Sequence, residues 1–90
     1  MTEVTLKIQN RTGMHVRVCG VFAREASRYR CKITLSYDGK EVDGKSILGV
    51  IMLAAEYGAE ILLRAEGEDE VTAAEDLVNL VGNRFGIDEE

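Results

Sequence analysis

The sequence predicts an α+β fold in which all helices stack on one side of a sheet, and three observations lead there. Apolar and polar residues alternate in separate short stretches, which is the strand period. Between them, apolar residues recur three to four apart, which is the helix period. Asp38-Gly39, a tight-turn pair, follows one of the strand stretches and obliges it to run antiparallel to the next. The element order is β-α-β-β-α-β-α. Each helix has one apolar stripe and each strand one apolar face, so stacking the helices over a single sheet face buries both at once.

Each element has its own signal. Val4, Leu6 and Ile8 alternate with polar residues as a first strand, and Asn10 to Gly13 is turn material. From Val16 to about Tyr29 the period lengthens. Val18 or Cys19, Phe22, Ala26 and Tyr29 share one helical face. Arg24, Arg28, Arg30 and Lys32 gather at the far end, where the helix dipole is negative. Cys31, Ile33, Leu35 and Tyr37 form the second strand, and Glu41-Val42-Asp43 the short third. Ser46 is a natural N-cap for an apolar run from Ile47 to Ala55, which Gly49 shortens. Tyr57-Gly58 ends that segment. Ile61, Leu63 and Ala65 make the fourth strand, closed by Gly67. Glu68, Asp69 and Glu70 supply the negative charge that a helix start prefers. Val71, Ala74, Leu77, Val78, Val81 and Phe85 form the last apolar stripe, and Asp88 to Glu90 are expected to fray. Thr5, Lys7, Lys32, Thr34 and Ser36 should face water on the uncovered side of the sheet.

Bulk composition narrows the function. Ninety residues suit one domain, spanning 1–90, with one core. A net charge of -5 argues against nucleic-acid binding or a membrane-surface role. No apolar run approaches the roughly 20 residues of a membrane span. The start "MTEVTLKIQN" lacks the basic flank and apolar run of a signal peptide, so a reducing cytoplasm and two free thiols, Cys19 and Cys31, are expected. There is no CxxC pair and no metal-ligand cluster, so neither a metal nor an organic cofactor is expected.

The chain has one histidine, in "TGMHVRVCG", Thr12 to Gly20. This run, with "KSILGV", "YGAEI" and "GEDE" in that order, resembles the HPr family, the histidine-containing phosphocarriers of the bacterial phosphotransferase system. The similarity covers essentially the whole chain. It implies an open-faced β-sandwich, a four-stranded antiparallel sheet under three helices. It also implies a carrier, not a catalyst with its own turnover: His15 would accept a phosphoryl group from Enzyme I and pass it to IIA domains. By position, Arg17 matches the arginine beside that histidine. Ser46 matches a serine phosphorylated by a dedicated kinase in some bacteria, with a transcription factor as a further partner. Ile47, Leu48 and Ile51 match a docking patch, to which Met14, Gly20 and Arg24 also belong. The family's usual run is His-Ala-Arg-Pro-Ala, whereas this chain reads His15-Val16-Arg17-Val18-Cys19. Val18 gives up the fixed φ of proline and restores an N–H.

The chemistry of these residues agrees with that expectation. A helix start offers unpaired N–H groups and the positive end of the dipole, which together hold a phosphoryl group. Transfer of that group needs mainly positioning and charge stabilisation. The plain alternatives are that His15 only caps the helix and that Arg17 is a solvated cation. Arg17 is unfavourably placed for the dipole, which points to a functional reason. Ser46 caps its helix on either reading, and a phosphate there would add about two negative charges. Ile47, Leu48 and Ile51 compete with Val50, Met52 and Leu53 for the interior, so some of them must stay outside. Cys19 is expected to be a small core residue. The rival function is a regulatory paralogue, phosphorylated on Ser46 and binding a transcription factor, with His15 idle. A generic small binding module is the remaining alternative.

Overall fold

The structure, a computed structural model, describes residues 1–86. Strand β1 (Thr2–Lys7) leads through a loop to helix α1 (Val16–Ala26). Strands β2 (Lys32–Tyr37) and β3 (Lys40–Asp43) form a hairpin, and helix α2 (Ile47–Met52) follows. Strand β4 (Glu60–Glu66), helix α3 (Glu70–Gly82) and a 3-10 turn over Arg84–Gly86 complete the described chain. The four strands lie in the order β1-β4-β2-β3, and every neighbouring pair is antiparallel. The expected open-faced sandwich is therefore present, with three α-helices.

Side-chain alternation builds the core. Leu6, Ile33, Leu35, Ile61, Leu63 and Ala65 point from the sheet toward the helices and are buried. Val18, Phe22, Ala26, Val50, Leu53, Leu77 and Val81 meet them from above. Phe22, Leu35 and Leu77 are completely enclosed. Each such side chain contributes about 1.5–3 kcal/mol of burial. On the other face Thr5, Lys7 and Lys32 are exposed, while Thr34 and Ser36 are half-buried. There Arg64 pairs with Glu3 at 3.1 Å and approaches Glu41 at 3.9 Å. The hairpin turn has φ of 52° at Asp38 and 78° at Gly39, the two positive values that a type I′ turn requires.

The helices depart from expectation at their ends. Helix α1 stops at Ala26 instead of Tyr29. The Ser27 hydroxyl donates to the Ala23 carbonyl at 2.7 Å, and the chain then changes to bonds spanning three residues, from the Arg28 N–H to the Glu25 carbonyl at 3.1 Å and from the Tyr29 N–H to the Ala26 carbonyl at 3.3 Å. Helix α2 is short, as Gly49 leads one to expect, and ends at Met52, where the Leu53 and Ala54 N–H groups donate back three residues to Val50 and Ile51. Its Gly49 has a packing reason: a Cβ there would sit 3.1 Å from the Asp43 carbonyl, against β3. In α3 the buried face is Ala73, Ala74, Leu77 and Val81, whereas Val71 and Val78 are exposed at 58% and 38%. The small alanines allow the helix to approach the sheet, and the flanking valines are left on its sides. Phe85 still reaches the core, but from the 3-10 turn beyond α3, with φ of 60°. The fraying expected at Asp88–Glu90 lies outside the described residues.

Two long-range ties hold α3. The Asp69 carboxylate accepts from the Arg30 and Cys31 N–H groups, both at 2.9 Å, and these bonds lower its pKa. Glu70 accepts from the Thr2 hydroxyl at 2.6 Å and the Gly67 N–H at 3.1 Å, and it pairs with the Met1 amine at 3.0 Å. These contacts, the Thr2 bond foremost, take its pKa from 4.5 to about 2.

Two stability predictions follow from these features. A depressed carboxyl stabilises the fold above its unfolded pKa and loses that contribution as pH falls through the folded pKa. Glu70→Gln should therefore destabilise the protein at pH 7, and the gap to wild type should close between pH 4.5 and about 2, read from urea midpoints at each pH. Ala54 has φ of 53° at the end of α2, the left-handed position where glycine is at ease. Ala54→Gly should raise unfolding stability by about 1 kcal/mol in urea titration.

Candidate phosphoryl-binding site at the start of the first helix

The loop carrying His15 is held from three directions. The buried Asn10 side-chain amide donates to the Gly13 carbonyl, and the Gly13 N–H returns to the Asn10 carbonyl at 3.1 Å. The Met14 N–H donates to the Ala55 carbonyl at 2.9 Å, joining the loop to the α2–β4 connection. The Cys19 thiol donates to the Met14 carbonyl at 3.3 Å. Gly13 has φ of +68°, and a Cβ there would lie 2.8 Å from the Ala55 carbonyl oxygen, so only glycine fits.

His15 is the N-cap residue of α1, with φ -82° and ψ 174°. Its carbonyl accepts the first helical bond, from the Cys19 N–H at 2.9 Å. The N–H groups of Val16, Arg17 and Val18 therefore come before the intrahelical ladder begins. The His15 side chain makes no capping bond, so the imidazole is not consumed by the helix that it starts. It is half-buried, and no acidic residue lies in the first turn to offset the dipole. Arg17 is exposed beside it, while Val18 turns its side chain fully inward. His15 opens onto a shallow cleft of about 490 Å³, lined also by Arg11, Thr12, Met14, Ala54, Ala55, Glu56 and Tyr57.

Ser46 caps α2 as expected, accepting from the Gly49 N–H at 3.1 Å, and remains half-exposed. Ile47 and Leu48 are exposed at 49% and 74%. Ile51 instead packs partly against the core, because it follows the inward-facing Val50; Met52, at 67%, takes the outward position. Met14 is buried at 7%, drawn into the core by the same loop that presents His15. Gly20 is half-buried, with open space where a Cβ would be, and Arg24 is exposed. Sequence reading passed over Val16, at 68% exposure, and Tyr57, at 64%. Tyr57-Gly58 was legible only as a segment end, since nothing local shows which loop lies across from it.

Both thiols are free and buried. Burial raises the pKa of Cys19, and burial together with Asp69 pushes Cys31 up to about 11. Neither has the low-pKa, accessible environment of a reactive cysteine. Among the described residues, no helix is long and apolar enough to cross a membrane.

The class is that of small α+β proteins, an antiparallel open-faced sandwich, here with the one histidine at the start of the first helix. Comparison with known proteins gives the family. The model described as "PTS HPr component phosphorylation site" matches residues 2–83, and the chain belongs to this HPr family of phosphocarrier proteins. It is similar to the phosphocarrier protein HPr of Xylella fastidiosa, 42% identical over 88 residues, covering 98% of this chain and 99% of that one. It is also similar to the HPr-like protein Crh of Bacillus subtilis, 38% identical over 81 residues, covering 90% and 95% of the two chains. Among solved structures, an HPr from Thermoanaerobacter tengcongensis superposes with a TM-score of 0.93 at 39% identity, covering 99% of this chain and all of that one.

The Ser46 cap can be tested by itself. Ser46→Ala removes the bond to the Gly49 N–H and should cost about 1 kcal/mol of stability in thermal or urea unfolding.

Proposed function

We propose that this protein carries a phosphoryl group on His15, received from Enzyme I and delivered to a IIA-type acceptor. The observation that carries the reading is the free His15 imidazole beside three main-chain N–H groups that precede the helical ladder. A ring nitrogen supplies the nucleophile, and the amides and the dipole receive the charge of the arriving oxygens. Arg17 adds a charge-assisted donor next to them. Val18, where the family usually has proline, contributes one more N–H to that cradle. Its buried side chain, rather than a fixed φ, anchors the turn.

The docking face follows from the same end of the molecule. Ile47, Leu48 and Met52 offer an exposed apolar surface, with Val16 also outside. Arg17 and Arg24 are exposed cations on α1. Gly20 leaves the helix backbone accessible between them. A partner with an apolar recess rimmed by carboxylates fits this pattern. Such a surface is compatible with a net charge of -5, because the acidic residues are spread elsewhere.

A second reading has its own support. The likeness to Crh, together with a half-exposed Ser46 at a helix start, favours a regulatory form phosphorylated on that serine. A phosphate there would gain main-chain N–H bonds and place new negative charge beside Ile47 and Leu48.

Incubation with Enzyme I, magnesium and phosphoenolpyruvate separates the two. The carrier reading expects one acid-labile phosphoryl group, lost in His15→Ala, and transfer slowed about a hundredfold in Arg17→Glu with unfolding unchanged. No labelling of wild type, combined with acid-stable labelling of Ser46 by the serine kinase, would favour the regulator instead.

A further inference from the structure

We propose that Glu56 tunes how readily His15 releases its phosphoryl group, by charge repulsion across the cleft. This rests on the carrier reading above. Glu56 sits in the α2–β4 connection, on the wall facing the His15 loop. The two walls are fixed to each other. The Met14 N–H bonds the Ala55 carbonyl at 2.9 Å, and the approach at Gly13 is so close that a Cβ there would lie 3.0 Å from the Glu56 Cα. Glu56 is exposed and lines the same cleft as His15. Among the described residues lining it, Glu56 is the only carboxylate and Arg11 the only guanidinium.

The transfer exchanges one P–N bond for another. A lone pair on a His15 ring nitrogen forms the new bond while the donor's P–N bond breaks and its electron pair returns to the donor ring. No oxidant, reductant or further reactant is needed. Because the bonds broken and formed are alike, the surroundings of each histidine decide where the group rests. The phosphorylated state brings about two negative charges into the cleft, which the unphosphorylated state lacks. The helix-start amides, Arg17 and the Arg11 guanidinium of the cleft favour that state, and the Glu56 carboxylate opposes it. Glu56 is therefore a positioning residue for charge, setting the phosphoryl group at a higher potential for onward transfer without touching the reacting atoms.

The test is the equilibrium between phosphorylated and free protein, clamped by Enzyme I, magnesium and a fixed ratio of phosphoenolpyruvate to pyruvate. Phosphohistidine is read by phosphorus NMR. At low salt, Glu56→Gln should raise the ratio of phosphorylated to free protein about threefold. Glu56→Asp, which keeps the charge, should stay near wild type. The difference should shrink as salt is raised, because an exposed charge pair is screened. Equal ratios for wild type and Glu56→Gln at low salt would overturn the proposal, as would a difference that salt leaves untouched, since that would mark a packing effect. If wild type takes up no phosphoryl group at all, the carrier reading itself fails, and this one with it.

Discussion

The His15 end of this protein depends on a single close approach, Gly13 against Ala55 and Glu56. There is no room between them for even a methyl group. That contact lets the Met14 N–H reach the Ala55 carbonyl, which in turn fixes the direction in which α1 departs. The Cys19 thiol, one helical turn further on, closes the same loop from the core side. His15 thus stands at the start of a helix whose origin is tied to a second segment far away in sequence. A histidine at the tip of a free loop would have the same chemistry and none of the preorganisation.

The same arrangement separates two demands that usually conflict. A helix start must satisfy its N–H groups, and the common solution is a side-chain cap. Ser46 does this for α2. His15 does not do it for α1, and the loop is held instead by the buried Asn10 amide, the Met14 N–H and the thiol. Structural support comes from behind the residue, which leaves the imidazole out of the capping bonds. Charge follows the same division. Asp69 and Glu70 lie at the start of α3, where they accept from the Arg30 and Cys31 N–H groups just before β2 and from the Thr2 hydroxyl of β1. The first turn of α1 carries no carboxylate.

Strand and helix identities were legible because burial on one face imposes a period on the residues. The Asp38-Gly39 turn, the Ser46 cap and the alternation through Ile61, Leu63 and Ala65 all read correctly for that reason. Helix ends were less legible. The terminations at Ala26 and Met52 go with three-residue hydrogen bonds formed beyond them, and hydrophobic spacing says nothing about those. Val71 and Phe85 show the same limit. One has the right spacing yet lies outside, and the other reaches the core after the helix has ended. Which side of α3 is deepest was decided by the small size of Ala73 and Ala74.

By itself, the sequence determined the order of elements, the side of the sheet that the helices cover, and the placement of the one histidine at a helix start. These are local or periodic properties, carried by neighbours within a few residues. Only the tertiary structure decided that Met14 turns inward, that Met52 replaces Ile51 on the outer face, and that Glu56 and Tyr57 line the cleft of a histidine some forty residues away. Such contacts arise where two loops pack against each other, and no period along the chain records which loops those will be.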